Sequence, residues 1–322
     1  MDIENLTTNT KSHKIQIVID QNKKVVKIKD NFEKNDKNLL VYNKFNLIIE
    51  DLNKLIGLEE IKKLIFEIFA LIQINQQRTI NGLKNEPQVF HMLFKGNPGT
   101  GKTTVARLMA KMFFEMGIIS KGHLVEVERA DLVGEYIGHT AQKTREQVNK
   151  SLGGILFIDE AYSLYRGGEK DFGRESIDTL VKAMEDHKND FILVLAGYSS
   201  EMEFFIRSNP GLYSRFPIQL HFDDYSLTEL MNISNVMLGD REYILSPSAK
   251  LKLKQIILEE KQNPLFNFSN ARLVRNLIEK SIRNQAVRLL NDNIISSSKQ
   301  ELMTLQPEDF LLNRNSLEKW FK

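Results

Sequence analysis

Apolar residues recur at two different periods along this chain, and the change between them divides it. Within the first fifty residues Ile15, Ile17 and Ile19 alternate with polar positions, and after a "QNK" turn Val26 and Ile28 alternate with lysines. A period of two puts successive side chains on opposite faces, so the pattern predicts a β-hairpin. The tract "NFEKNDKN" that follows has the polar composition of a linker. From Leu58 the period lengthens. Leu58, Ile61, Ile65, Ile68, Phe69 and Ile72 fall three and four residues apart, which places them on one face of a helix. "NGLKNEPQ" ends that helix with turn-forming residues.

Beyond this break, short apolar runs alternate with helical periods. "VFHMLF", "HLVEVE", "GILFID" and "FILVLA" read as strands. Val105, Leu108, Met109 and Met112, and later Ile177, Leu180, Val181 and Met184, mark helices between them. Alternating strands and helices imply an α/β fold, a mostly parallel sheet with helices on both faces. After Asp224 no further strand is predicted; Ala271, Val274, Leu277 and Ile278 mark one of several helices in a smaller C-terminal unit. The expected organisation is an N-terminal extension over 1–50, an α/β domain over 51–223, and a helical lid with a tail over 224–322.

Composition narrows the function classes. Hydrophobic content of 42% and charged content of 27% suit a globular chain with a sizeable core. The net charge of +2 comes from interleaved lysines and acids rather than blocks, which argues against a nucleic-acid or membrane-surface binder. With no cysteine there is no disulfide, thiol nucleophile or thiolate metal site. The histidines are scattered and form no H-E-x-x-H pattern. The polar N-terminus "MDIENLTTNTKSHK" does not read as a signal peptide, and runs such as "FILVLA" are too short to cross a bilayer. A cytoplasmic protein without membrane partners is expected. Trp320 and Phe321 are read as docking the tail.

The chemistry concentrates at one turn. "GNPGTGKT", Gly96 to Thr103, satisfies G-x-x-x-x-G-K-[ST] between a predicted strand and a predicted helix. Glycines there let backbone N–H groups point inward around phosphates, and the following helix N-terminus adds partial positive charge. Asn97, Pro98, Gly99, Thr100, Gly101, Lys102, Thr103 and Thr104 are the expected ATP-binding residues, with Lys102 on the β- and γ-phosphates and Thr103 on Mg²⁺. "GGILFIDEAY" supplies two carboxylates at a strand end, where parallel sheets open their ligand crevice. Successive strand side chains diverge, so the two acids take different tasks. Asp159 is expected to hold Mg²⁺ and Glu160 to polarise an attacking water.

These motifs, with "LIGLEEIKK", "DLVGEYIGHTAQKT", "SIDTLVKAMEDH", "LAGYSSEM", "NPGLYSRFP" and "NARLVRN", resemble those of an AAA+ ATPase from about Leu52 to Leu290. More narrowly, the chain is similar to the group of sporulation stage V protein K and the red-type rubisco activases. The resemblance implies further roles. Leu55, Ile56 and Gly57 match the segment that cups adenine. Arg215 matches an arginine finger that reaches a neighbouring subunit's site; related sequences often carry a second arginine where Tyr213 stands. Arg272 matches the lid arginine that reports nucleotide state, with Arg275 a competing candidate and Ser269 where glycine is usual. Tyr198 aligns with the strand-end polar sensor of other AAA+ proteins. Tyr136, Ile137 and Gly138 match an axial pore loop that grips polypeptide.

Taken together, the sequence points to an Mg²⁺-dependent ATPase that remodels a protein substrate as a homo-oligomeric ring, by family a hexamer. A nucleic-acid motor or clamp loader shares the same phosphate chemistry, and a nucleotide-switched scaffold is a third reading.

Overall fold

The computed structural model describes residues 16–20, 25–29, 48–85, 88–136, 138–166, 172–188, 190–262, 268–291 and 298–310. Ile137, the linker tract at 31–38, Trp320 and Phe321 lie outside them. Residues 1–55 and 56–322 form separate units. In the first, β1 (Gln16–Asp20) and β2 (Val25–Lys29) pair antiparallel, with Ile17 opposite Ile28 and Ile19 opposite Val26. A helical segment covers 48–54.

The second unit opens with α1 (Glu59–Ile80), which buries Ile61, Ile65, Ile68 and Ile72, the face that the period of the sequence defines. Then come β3 (Met92–Gly96), α2 (Lys102–Glu115), β4 (Leu124–Val127), α3 (Arg129–Leu132), α4 (His139–Ser151) and β5 (Ile155–Ile158). A 3₁₀ turn at Ala161–Tyr165, α5 (Gly173–Asp186), β6 (Ile192–Gly197), α6 (Ser199–Arg207), α7 (Pro210–Tyr213) and β7 (Ile218–Phe222) complete the α/β part. Five strands form one parallel sheet in the order β4-β5-β6-β3-β7.

β7 is a strand that the apolar runs did not indicate. It lies at the sheet edge, and only Leu220 and Phe222 of "IQLHF" are buried while Gln219 and His221 face out. One-sided burial over five residues leaves too short an alternation to stand out. β3 starts three residues later than the run "VFHMLF" suggests, because Val89, Phe90 and His91 precede the first sheet pairing at Met92. His91 is nonetheless buried.

The C-terminal part contains α8 (Leu227–Gly239), β8 (Ile244–Leu245), α9 (Pro247–Lys261), α10 (Asn270–Asn291), α11 (Lys299–Met303) and β9 (Thr304–Leu305). Its core gathers Tyr225, Leu230, Leu253, Ile257, Val274 and Ile278. Contrary to the expectation that strands stop at Asp224, β8 and β9 pair in parallel. Two residues on each side are too few to imprint a period on the sequence. Ser226 starts α8 with a capping box: its hydroxyl accepts from Glu229 N, and the Glu229 carboxylate accepts from Ser226 N.

Between α4 and α5 a buried hydroxyl pair joins two helices. Thr144 Oγ1 lies 3.2 Å from Leu132 O and 3.0 Å from Ser176 Oγ. Each hydroxyl has one proton, so Thr144 donates to the carbonyl and accepts from Ser176.

His91 sits under the sheet between the rings of Phe191 and Phe216, at 5.8 and 6.2 Å. Its Nδ1 accepts from Leu193 N at 2.9 Å, which places the proton of the neutral ring on Nε2. Burial pushes its pKa from 6.5 down to about 4. The unfolded chain therefore binds the proton first as pH falls. The stability is present in full above about pH 6.5 and is lost towards pH 4, by about 3 kcal/mol in total. Urea titrations across this window are expected to give a steeper loss in wild type than in His91→Gln, which keeps an acceptor for Leu193 N and does not titrate. Equal slopes would show that His91 is not the titrating group.

Candidate active site

The sheet order brings the C-terminal ends of β3 and β5 to one crevice, with β6 between them. At the end of β3 the backbone of Gly96 runs against Phe222 so closely that an added Cβ would lie 2.3 Å from Phe222 O. Gly99 and Gly101 take φ of 71° and 98°, the left-handed region in which glycine carries no Cβ penalty. Gly101 caps α2 without a side-chain hydrogen bond, so the first-turn N–H groups face the loop as donors for an anion.

Lys102 Nζ donates to Gly96 O and Asn97 O, both at 2.8 Å. Burial pushes its pKa below the ordinary lysine value; Asp159 and Asp224 act in the opposite direction, and Arg272 adds to the lowering. Lys102, Asp159 and Arg272, far apart in sequence, thus lie within electrostatic reach of one another. Thr103 is half-buried and Thr104 exposed.

Asp159 follows β5; its N–H donates to Val127 O at 3.0 Å, and its Oδ1 accepts from Glu160 N at 2.9 Å. Glu160 is exposed and has φ of 46°, an uncommon conformation for a residue with a side chain. Tyr162 packs behind, where Gly197 leaves room: a Cβ there would come within 2.7 Å of its ring. Burial, then the nearby Glu160 charge, pushes the Tyr162 hydroxyl up to about 12. Tyr198 is half-buried, its ring 6.0 Å from that of Tyr162.

This donor set fits Mg²⁺ and a nucleotide. Left-handed glycines and uncapped N–H groups make the cradle, and Thr103 and Asp159 offer the hard oxygens Mg²⁺ prefers. Among the described residues no cluster of three or more acidic or histidine side chains could hold a metal alone. Mg²⁺ commonly takes one or two protein oxygens and completes its shell with phosphate and water.

The lid closes on the loop from the other side. A Cβ at Gly99 would lie 2.3 Å from Ser269 O and 2.7 Å from Arg272 N, and Ala271 N donates to Gly99 O at 3.2 Å. Arg272 is the arginine of "NARLVRN" whose backbone meets the loop. The left-handed residue at this turn is Asn270, φ 46°, so Ser269 in place of glycine carries no backbone strain. Gly57 is also required: with φ of 67°, a Cβ would stand 2.4 Å from Glu229 Oε1 and 3.3 Å from the Tyr225 ring. Ile56 beside it is half-buried. Leu55 belongs to the other unit, where its N–H donates to Leu52 O at 3.1 Å. Sequence reasoning missed Leu58 and Tyr225, whose side chains approach Gly101 most closely. They line a cavity of about 190 Å³ with Ile61, His221, Asp224 and Glu229.

Two expected residues stand elsewhere. Arg215 precedes β7, and Ile218 pairs with the first residue of β3 whereas the loop starts at its last. The strand between them spans about 13 Å, so Arg215 is at the opposite end of the sheet from its own phosphate loop. Its guanidinium bonds to Glu185 and Gly211 O. Tyr136 follows α3, 66% exposed, with its ring edge-on to His139 at 5.5 Å. Gly134 N donates to Thr140 Oγ1 at 3.0 Å, and Gly138, φ 84°, caps α4.

Comparison with known proteins decides the family. Residues 92–224 match the model of the ATPase family associated with various cellular activities (AAA), and 226–319 match the AAA lid domain. The chain is 59% identical to Stage V sporulation protein K of Bacillus subtilis (strain 168), over 84% of this chain and 83% of that protein. The chain belongs to the AAA+ ATPase family. It is also 44% identical to Protein CbbX of Cereibacter sphaeroides, over 83% of this chain and 86% of that one. Among solved structures, the AAA domain of FIGL-1 in complex with ADP superposes with a TM-score of 0.55 at 16% identity, covering 91% of this chain and 97% of that one. A point mutant of Thermotoga maritima RuvB superposes with a TM-score of 0.52 at 21% identity, over 83% of this chain and 72% of that one. These two likenesses concern the fold. The AAA+ membership makes the protein an ATPase. No helix among the described residues is long and apolar enough to cross a membrane.

The separation of the loop from the strand-end acids predicts different defects. Lys102→Ala is expected to weaken ATP binding about tenfold or more, since it loses a charge-assisted contact. Glu160→Gln is expected to bind ATP as wild type does and to lose turnover by about 10²-fold or more. Nucleotide titrations beside steady-state ATPase assays check both, and wild-type turnover in Glu160→Gln would remove its assignment.

Proposed function

We propose that this ATPase is a protein-remodelling motor that hydrolyses Mg²⁺-ATP in a ring, with residues 51–223 as its ATPase domain and 224–322 as its lid. The observation that carries this reading is the exposed Tyr136 ring between Gly134 and Gly138. An exposed ring held on a glycine-flanked loop offers broad apolar contact to a polypeptide without reading its sequence. With interleaved charge and no basic stripe, the chain offers little to a nucleic acid backbone.

Mg²⁺, held by Thr103 and Asp159, would neutralise charge on the phosphates. Backbone N–H groups of Gly99, Gly101 and Lys102 orient the phosphate chain, and Glu160 positions and polarises the attacking water. Arg272 senses the nucleotide from the lid of the same subunit. Arg215, remote from its own loop, acts on the neighbour's; such a finger is worth roughly 10³–10⁵ in rate. A contact from one end of a subunit to the other end of the next is heterologous and closes into a ring when the rotation allows.

Two experiments separate this reading from its rivals. Arg215→Ala and Lys102→Ala subunits are each expected to be nearly inactive, and mixing them to restore part of the ATPase, because one mixed interface joins an intact loop to an intact finger. Full turnover by a strictly monomeric wild-type preparation would exclude a finger in trans. For the loop, Tyr136→Ala is expected to assemble, bind ATP and keep its melting temperature, yet lose stimulation by an unfolded protein; Tyr136→Phe keeps it. Tyr136→Ala that remodels as well as wild type, or a strong salt-dependent affinity for DNA, would overturn the polypeptide assignment.

A further inference from the structure

The phosphate loop is backed by a circuit of side-chain hydrogen bonds that hydrolysis itself does not use. Asn97 Nδ2 donates to both carboxylate oxygens of Asp224, at 2.9 and 3.1 Å. Asp224 Oδ1 also accepts from Asn270 Nδ2 at 2.7 Å, and Asn270 Oδ1 accepts from Tyr225 N at 2.9 Å. The Tyr225 hydroxyl returns to the loop and donates to Thr100 O at 3.1 Å. Three segments distant in sequence therefore close on one another: the loop, the connection into the lid, and the first turn of α10. Asn270 is fully buried and left-handed, a combination that asparagine tolerates better than other residues with side chains. It stands two residues before Arg272.

We propose that Asn97, Asp224 and Asn270 form a clasp that holds the phosphate loop in its phosphate-receiving shape and passes its displacement to the lid helix that bears Arg272. If the loop moved alone, the exposed Asp224 carboxylate would give up Asn97, and the Asn270 amide, which water does not reach, would give up its contact with Pro98 O at 3.4 Å. The backbone contact of Gly99 with Ser269 and Arg272 adds the steric half, since the loop cannot advance towards α10 without pushing it. Coupling of this kind is reciprocal: nucleotide that fixes the loop fixes the lid, and a lid displaced by a neighbour alters nucleotide affinity by the same factor. Asn97, Asp224 and Asn270 are positioning residues, acting through the loop and Arg272. The inference rests on the reading of Gly96–Thr103 as the phosphate loop.

The test exploits the chemistry of the pair. Asn270→Gly keeps the left-handed backbone and deletes only the amide. Asn270→Asp sets two carboxylates face to face, and adding Asp224→Asn returns a donor between the two positions and keeps an acceptor for Asn97, while the carbonyls of Phe268 and Pro98, 3.2 and 3.4 Å from the Asn270 amide nitrogen, stay without that donor. ADP affinity and amide exchange over residues 270–276, with and without ADP, are measured for each full-length protein. Wild type is expected to gain protection there on binding ADP. Asn270→Gly and Asn270→Asp are expected to bind ADP about tenfold more weakly and to lose that gain, and the exchanged pair to recover part of both. Asn97→Ala, on the half-exposed loop, is expected to lose the gain while keeping the fold. An α10 that gains no protection in wild type, an unaltered gain in Asn270→Gly or Asn97→Ala, or an exchanged pair no better than Asn270→Asp would each overturn the clasp. Normal ADP binding by Lys102→Ala would instead overturn the phosphate-loop reading beneath it.

Discussion

A loop that receives phosphates must turn its backbone N–H groups inward, and that constraint shapes everything around Gly96–Thr103. Side chains large enough to pack such a loop would block it, so the loop cannot stabilise itself. Its support comes from outside: the backbone of Phe222 at Gly96, the first turn of α10 at Gly99, and Tyr225 behind Gly101. At Gly96 and Gly99 another element comes too close for a Cβ, and at Gly101 the left-handed φ of 98° asks for glycine. The lid is therefore part of the loop's construction as well as a cover over it.

The polarity of a parallel sheet separates the remaining chemistry. Strand C-termini bring Lys102, Asp159 and Glu160 together, because every strand delivers its following loop to the same end. The residues that precede strands go to the other end, and Arg215 enters β7 there. Its pairing with Glu185 is half-exposed, and solvent-exposed ion pairs contribute little, about 0–1 kcal/mol. In the proposed ring, exchange of that carboxylate for a phosphate group on another subunit would thus have only a small electrostatic barrier to overcome.

The sequence made local features legible and left networks hidden. The helix face of Ile61, Ile65, Ile68 and Ile72, the parallel strands and the loop between β3 and α2 all follow from spacing within a few residues. Asp159 and Glu160 were readable because they directly follow one apolar run, β5. The AAA+ family was readable from the order of its motifs. β7 was not, since one buried face at a sheet edge leaves an alternation only five residues long. Neither was the circuit through Asp224 and Asn270: Asn97 and Asp224 are 127 residues apart, and no periodicity connects them. Asn270 also showed why position 269 need not be glycine here, a matter of one dihedral angle that composition does not record.

The hydroxyl pair between α4 and α5 constrains how this sequence can drift. Replacing Thr144 by an apolar residue strands the Ser176 hydroxyl in the core and deprives Leu132 O of its donor, and an unmet polar group there costs about 1–3 kcal/mol. Replacing Ser176 alone costs less, because Thr144 keeps its bond to Leu132 O. Positions 144 and 176 are therefore linked in one direction: relatives of this chain can lose the hydroxyl at 176 and keep the one at 144, whereas those that lose it at 144 are expected to have lost it at 176 as well. α4 starts at Gly138 beside Tyr136, and α5 ends at the Glu185 that holds Arg215. The joint whose order of change is constrained lies between those two helices.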